Sequence, residues 1–335
     1  MSPKVAVAVG AIIIFAAGIA AAKVIHAGNE DTAPAKKSGS AKAKKELDFR
    51  GSEHSTQLPP ATAGRQEPAS GAVLAPRAEA SWSEFSSSIS GDIGIAVAPL
   101  GGDSTPEVMG SRLTGHAWSS IKVPIVAALF RQQGEQLDSE EEVSARAALT
   151  ASDNEAAAQL FARLEAKDGG QEGASLAVGE VLNERADEQT IVSTAPPPPG
   201  AVSSYGQTEW SLPAAAEFMS SLGAGCVLAP EGTDQVLALM QEVIPEQRWG
   251  LGEGGFPAGW QVAFKAGWGP EGSASGPYLV RQNGILIDGN RGVAVAMIAL
   301  DDSGSFAAGA QDLTSIAGWL RENLATPLPE SQGCR

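Results

Sequence analysis

Three strand-like runs follow one another toward the C-terminal end of the chain: Trp260 to Ala266, Tyr278 to Ile287 and Val293 to Leu300. Asp288-Gly289-Asn290, between the last two, supplies hairpin chemistry. This succession constrains the fold more than any other feature, because strands joined by so short a turn pair antiparallel. An earlier run, Ile93 to Ala98, alternates and closes at Leu100-Gly101-Gly102, which predicts a strand ending in a turn. The stretch between carries helical periodicity over Ser119 to Gln133, Glu140 to Leu149, Asn154 to Leu164, Pro213 to Leu222 and Gly232 to Val243. Pro196 to Pro199, followed by Gly200, forces a loop within that block, and Ala307 to Leu324 closes it all as a helix. The order predicts an α+β architecture. An antiparallel sheet is flanked by helices, with the first strand and the last helix brought together on it.

This body is expected over residues 81–328, with 329–335 as a tail. Residues 28–80 are rich in Lys, Ala, Ser, Gly, Pro and Glu with no sustained apolar period, which reads as a disordered linker. Ahead of it, Val5 to Ala22 holds eighteen residues without a charge between Lys4 and Lys23. Residues 1–27 therefore read as a signal peptide or an N-terminal membrane anchor, cleaved or retained. Either form puts the body outside the cytoplasm, membrane-anchored or secreted. The lysines at 36, 37, 42, 44 and 45 pull the other way, since basic flanks favour the inner side.

Charge is split along the chain. The first fifty residues carry about +4 of a total of −16, leaving about −20 for the rest. A body that acidic excludes nucleic acid as a partner, because phosphate contacts need a basic face. Cys226 and Cys334 form either one bridge or two separate thiols, and with three scattered histidines they make no metal-ligand pattern. No metal and no cofactor are expected.

The chemistry concentrates in three short segments. In Ser119-Ser120-Ile121-Lys122, residues three apart at a helix start share a face, so the Lys122 amine is placed to activate the Ser119 hydroxyl. Free backbone amides at that helix start also suit a developing oxyanion. Ser152-Asp153-Asn154 stands before a helix, where a Ser or Asp cap is the ordinary explanation. Lys265-Ala266-Gly267 ends the first of the three late strands. His116 precedes Ser119 by three residues, but no acidic partner that would make it a base is identifiable, and it reads as an ordinary surface or core histidine.

Taken in order, these segments resemble the S-x-x-K, S-D-N and K-T-G motifs of the serine β-lactamase (class A-like) and penicillin-binding D,D-peptidase superfamily. The likeness extends through Leu149 to Ala157 around the second motif and through Pro257 to Trp260 ahead of the third. It implies a β-lactamase/transpeptidase-like fold and a serine hydrolase that forms an acyl-enzyme. The implied catalytic residues are Ser119 as nucleophile, Lys122 as base and Ser152 as proton relay. Asn154, Lys265, Gly267 and the backbone N–H of Trp268 are implied to bind substrate, which would be a β-lactam or a D-alanyl wall peptide.

Three departures accompany the resemblance. Ala266 stands where that family has Thr or Ser, which removes a hydroxyl from the substrate clamp. Ser119 and Ser152 lie only 33 positions apart, implying a reduced all-helical lobe. No glutamate matches the family's deacylating base: Glu180 has the wrong surroundings, and Ser193-Thr194-Ala195 stands at the expected place. A catalytically inactive binding protein at the cell surface and a generic esterase are the alternatives these departures leave open.

Overall fold

The computed structural model describes residues 72–334, apart from 104, 135 and 185–188. The expected N-terminal membrane segment, 1–27, and most of the expected linker lie outside the described residues. Among the described residues no helix is long and apolar enough to cross a membrane.

The frame is a five-stranded antiparallel sheet in the order β2-β1-β7-β6-β5. Its members are β1 (Gly91–Pro99), β2 (Glu107–Gly110), β5 (Gln261–Pro270), β6 (Tyr278–Asp288) and β7 (Arg291–Asp301). The first strand pairs with the last, Gly91 opposite Asp301 through Pro99 opposite Val293, so the two ends of the body meet at the sheet centre. A small second sheet pairs β3 (Thr114–His116) with β4 (Glu209–Ser211).

Alternation along the strands sorts side chains to two faces. Ile93, Ile95, Val97, Val293, Val295 and Met297 enter one apolar cluster, beneath α8 (Phe306–Asn323). The helix α1 (Ala78–Ser86) leans on α8 there, Trp82 meeting Trp319 edge-on at 4.8 Å. The other face is lined by smaller residues, Ala96, Ala294 and Ala296, in one cluster with Ala214, Ala215 and Ala216 of α6 (Leu212–Gly223). Alanine against alanine lets α6 lie close on the sheet. Beyond α6 stand α2 (Lys122–Gln132), α3 (Ser139–Thr150), α4 (Asn154–Asp168), α5 (Gln171–Asn183) and α7 (Pro230–Gln241). Among the described residues, α2 and α3 separate the first two motifs.

Both ends of the body differ from the expected bounds. Residues ahead of 81 belong to the body: Val73 and Leu74 are buried, and Leu74 bridges Leu324. The segment 329–334 is docked rather than free. Gln332 N–H donates to the Leu100 carbonyl, Arg291 pairs with Glu330, and Cys334 forms a disulfide with Cys226 across a Cα–Cα distance of 5.3 Å. That settles the two cysteines as one bridge.

Candidate active site

The Ser119 turn is built first by strain. Among the described residues, Trp118 (φ +48°) and Ser152 (φ +59°) are the non-glycine positions with left-handed backbone. Such conformations cost energy and persist where the surroundings over-determine them. Trp118–Ile121 forms a 3-10 turn leading directly into α2, so Ser119 precedes the helix and Lys122 opens it. The expected helix over Ser119 to Gln133 is thus divided into a tight turn and an α-helix.

Ser152-Asp153-Asn154 divides its two readings between residues. The Asp153 carboxylate caps α4, accepting from Ala156 N–H at 2.8 Å. Ser152 is therefore released from capping. Its Oγ accepts from Lys265 Nζ at 2.9 Å and lies 3.4 Å from Lys122 Nζ. Lys122 Nζ also donates to Ser152 O (2.7 Å), Asp153 O (3.2 Å) and Asn154 Oδ1 (2.8 Å). None of the hydrogen bonds of Lys122 Nζ goes to Ser119 Oγ, although both residues line the same cleft.

Burial sets the electrostatics. Lys122 is 2% exposed, and desolvation brings its pKa down to about 8 against the opposing pull of Asp153. Lys265, 1% exposed, is held well below the ordinary lysine value by burial and by the charge of Lys122. Among the described residues no carboxylate is hydrogen-bonded to either amine, and the pair is driven to shed a proton. A neutral amine beside a serine hydroxyl is the form a proton acceptor requires.

The strand β5 carries the third motif against the Ser119 turn. A Cβ on Gly267 would stand 2.5 Å from Ala117 O, 2.8 Å from Ser120 N and 2.9 Å from Ser119 N, so glycine is required for this approach. Two residues on, the Trp118 ring occupies the space a Gly269 side chain would fill. Ala266 falls on the opposite face of β5, with Phe264 and Trp268, and is 2% exposed. Trp268 meets Trp249 and Phe306 and lines the cleft.

The cleft has a volume of ≈ 190 Å³. Ser119, Lys122, Ser152, Asn154 and Trp268 line it; Lys265 and Gly267 do not, Lys265 bonding Ser152 Oγ and Gly267 packing against the Ser119 turn. Sequence reasoning missed the opposite wall, which is the loop 200–207 with Val202, Ser203, Tyr205 and Gln207. The proline run gave that loop away without assigning it a place. Tyr205 is anchored on Phe161 of α4, and Thr208 ties the loop to both Ser193 N–H and Ala117 N–H. Glu180 lies on α5 in a separate groove with Leu176 and Ile191. No carboxylate lines the cleft among the described residues.

Behind the turn, His116 does have acidic partners. Its Nδ1 is 2.9 Å from Glu271 Oε1 and its Nε2 3.1 Å from Glu209 Oε1, while Arg112 holds Glu271 Oε2 at 3.2 Å. The Glu271 hydrogen bond raises the His116 pKa against the effect of burial. Burial pushes Glu271 up, but His116 and Arg112 bring it net down. With both ring nitrogens on carboxylates, His116 is a clasp between β3, β4 and the end of β5, and no base. Among the described residues no group of three or more His, Cys, Asp or Glu is arranged to hold a metal ion.

No protein-family model and no curated protein matches the chain. Solved structures do. The chromosome-encoded β-lactamase of Vibrio parahaemolyticus is 18% identical with a TM-score of 0.55, over 73% of this chain and 98% of that one. A β-lactamase from Xanthomonas campestris is 19% identical (TM-score 0.53, 73% and 96%). PBP-A is 20% identical (TM-score 0.55, 73% and 94%), and a mutant of it has been solved as an acyl-enzyme complex with penicillin G. The chain has the fold of the serine β-lactamase and penicillin-binding superfamily.

Proposed function

We propose that this chain is a serine hydrolase of that fold, forming an acyl-enzyme on Ser119. The observation that carries the reading is Ser152 Oγ, held on Lys265 Nζ at 2.9 Å and 3.4 Å from Lys122 Nζ in the cleft that Ser119 lines. In the proposed step Ser119 Oγ bonds to the acyl carbon and the bond from that carbon to its leaving atom breaks. The serine proton passes to Lys122 and through Ser152 to the leaving nitrogen or oxygen. Asn154 and the β5 edge at Gly267 and Trp268 orient the acyl group. No carboxylate among the described residues stands in the cleft to activate water, which points to slow hydrolysis of the adduct.

β-Lactams and D-alanyl wall peptides are the acyl donors that the motifs suggest, and PBP-A, with its penicillin adduct, supports β-lactams as probes. We place the domain outside the cytoplasm, on the apolar run Val5 to Ala22 and on the Cys226–Cys334 disulfide, a bond that persists in oxidising compartments. The alternative, a catalytically silent binding protein, is favoured by one observation: the Lys122 ammonium is turned onto Ser152, Asp153 and Asn154 rather than onto Ser119. Labelling of the full-length chain with a fluorescent penicillin, beside Ser119→Ala, separates the two. A covalent band lost in the variant is the expected result; a folded wild type that never labels would leave only the binding reading.

A further inference from the structure

We propose that Glu271 is a positioning residue for acylation: its carboxylate, through His116 and Trp118, fixes the Ser119 turn against the end of β5. The inference rests on the acylation reading and names what holds its nucleophile in line.

Ser119 follows directly on Trp118, whose left-handed backbone (φ +48°) has to be held by its surroundings. The chain on either side is tied by Ala117 N–H to Thr208 O at 2.8 Å and by Ser120 N–H to Ala117 O at 3.0 Å. The Trp118 side chain has anchors of its own. Its ring lies where a Gly269 side chain would stand, and the His116 ring meets it edge-on at 5.9 Å. Its indole N–H is buried and makes no hydrogen bond of ordinary geometry, yet it helps to lower the Glu271 pKa, which puts it against that carboxylate.

Glu271 is the first residue after β5, and its own N–H donates to Pro277 O at 2.9 Å. An ionised carboxylate only accepts, and both oxygens are used. Oε1 accepts from His116 Nδ1 at 2.9 Å and Oε2 from Arg112 Nη2 at 3.2 Å. Because the other His116 nitrogen faces Glu209 Oε1 at 3.1 Å, both ring nitrogens carry protons and the ring is a cation. Arg112 is fastened to β1, its N–H donating to Ile93 O at 3.2 Å. One side chain thus joins the end of β5 to the approach from β1 and to β3, the strand that leads into the Ser119 turn. The Glu271 side chain is 17% exposed, so water competes weakly for its oxygens. Glutamine has nearly the same shape but cannot replace it, since either orientation of its amide sets an NH2 against Arg112 or His116. β5 therefore meets the turn twice: Gly267 sets the closest approach by contact, and Glu271 sets the orientation of Trp118 by charge.

The test follows adduct formation by intact mass over a range of penicillin G concentrations, which gives a maximal acylation rate and a half-saturating concentration. Full-length wild type is compared with Glu271→Gln and with Glu330→Gln, which breaks the ion pair to Arg291 in the docked tail, and thermal melts follow each fold. A displaced nucleophile reacts more slowly once the donor is bound and leaves binding alone. The maximal rate is expected to fall about 10- to 100-fold in Glu271→Gln, with half-saturation within about twofold of wild type. Glu330→Gln is expected to keep the wild-type rate. Adding His116→Gln to Glu271→Gln is expected to slow the reaction no further, because the two act through one clasp. Should Glu271→Gln fail to fold, His116→Gln alone carries the same expectation. An unchanged maximal rate, a change confined to half-saturation, an equal loss in Glu330→Gln or additive losses in the double variant overturn the positioning role and leave the acylation reading standing. No adduct on folded wild type overturns the acylation reading and the positioning role with it.

Discussion

Ser152 concentrates the physics of this site in one residue. Its left-handed backbone turns the side chain away from capping α4, a task Asp153 performs, and toward two amines that burial has robbed of proton affinity. Such strain is tolerated where function holds it in place. The Lys122 pKa of about 8 gives the account a pH signature. The acting form is the neutral amine, so acylation rises with pH and levels off above 8. Two units below that value only about one amine in a hundred is neutral, and the rate at pH 6 should be roughly a hundredfold under the plateau. A stopped-flow profile of acylation from pH 5.5 to 9.5 checks this, and a flat profile would remove Lys122 from the base role.

Among the elements, β5 decides whether the Ser119 turn and the Lys265-Ala266-Gly267 segment meet. Replacing Gly267 with Ala forces a methyl group into the backbone of the Ser119 turn. Overpacking of this kind costs about 1–3 kcal/mol, which here should slow acylation about 10- to 100-fold. The measurement is the acylation rate of Gly267→Ala, with a thermal melt to show that the fold survives. The same strand shows what the sequence could and could not reveal. Its first part was legible as the strand-like run Trp260 to Ala266, but the strand runs on to Pro270 through Gly267 and Gly269. Glycine is a poor strand former, and its reason for being there is tertiary: the Ser119 turn and the Trp118 ring fill its side-chain space. The three motifs were legible because chemistry restricts their letters. The loop 200–207 was not, because a cleft wall formed by Val202, Tyr205 and Gln207 needs only shape. Likewise α1 and the β3–β4 pair were too short to leave a period, and the carboxylates around His116 come from positions 93 and 155 residues further along.

At the scale of the molecule, the last residues close the body rather than trail from it. The Cys226–Cys334 bridge spans a sequence separation of 108 and pins 329–334 beside the end of β1 and the β6–β7 turn. A loop of that length restricts the unfolded chain strongly, and its loss should cost about 2–5 kcal/mol. Guanidinium titrations of the wild type and Cys334→Ser read this as a fall in midpoint, and coincident curves would show that the bridge does not form. The fold thus joins the first and last strands of the described body on one sheet and leaves an edge, β5, to meet the helical block at Ser119. The central claim is the covalent step that this arrangement supports. Its most direct test is peptide mapping by mass spectrometry after incubation with penicillin G. The account predicts a single acyl adduct on the peptide that contains Ser119, slow to disappear and absent from Ser119→Ala. A folded protein that stays unmodified, or is modified equally in the variant, would contradict it.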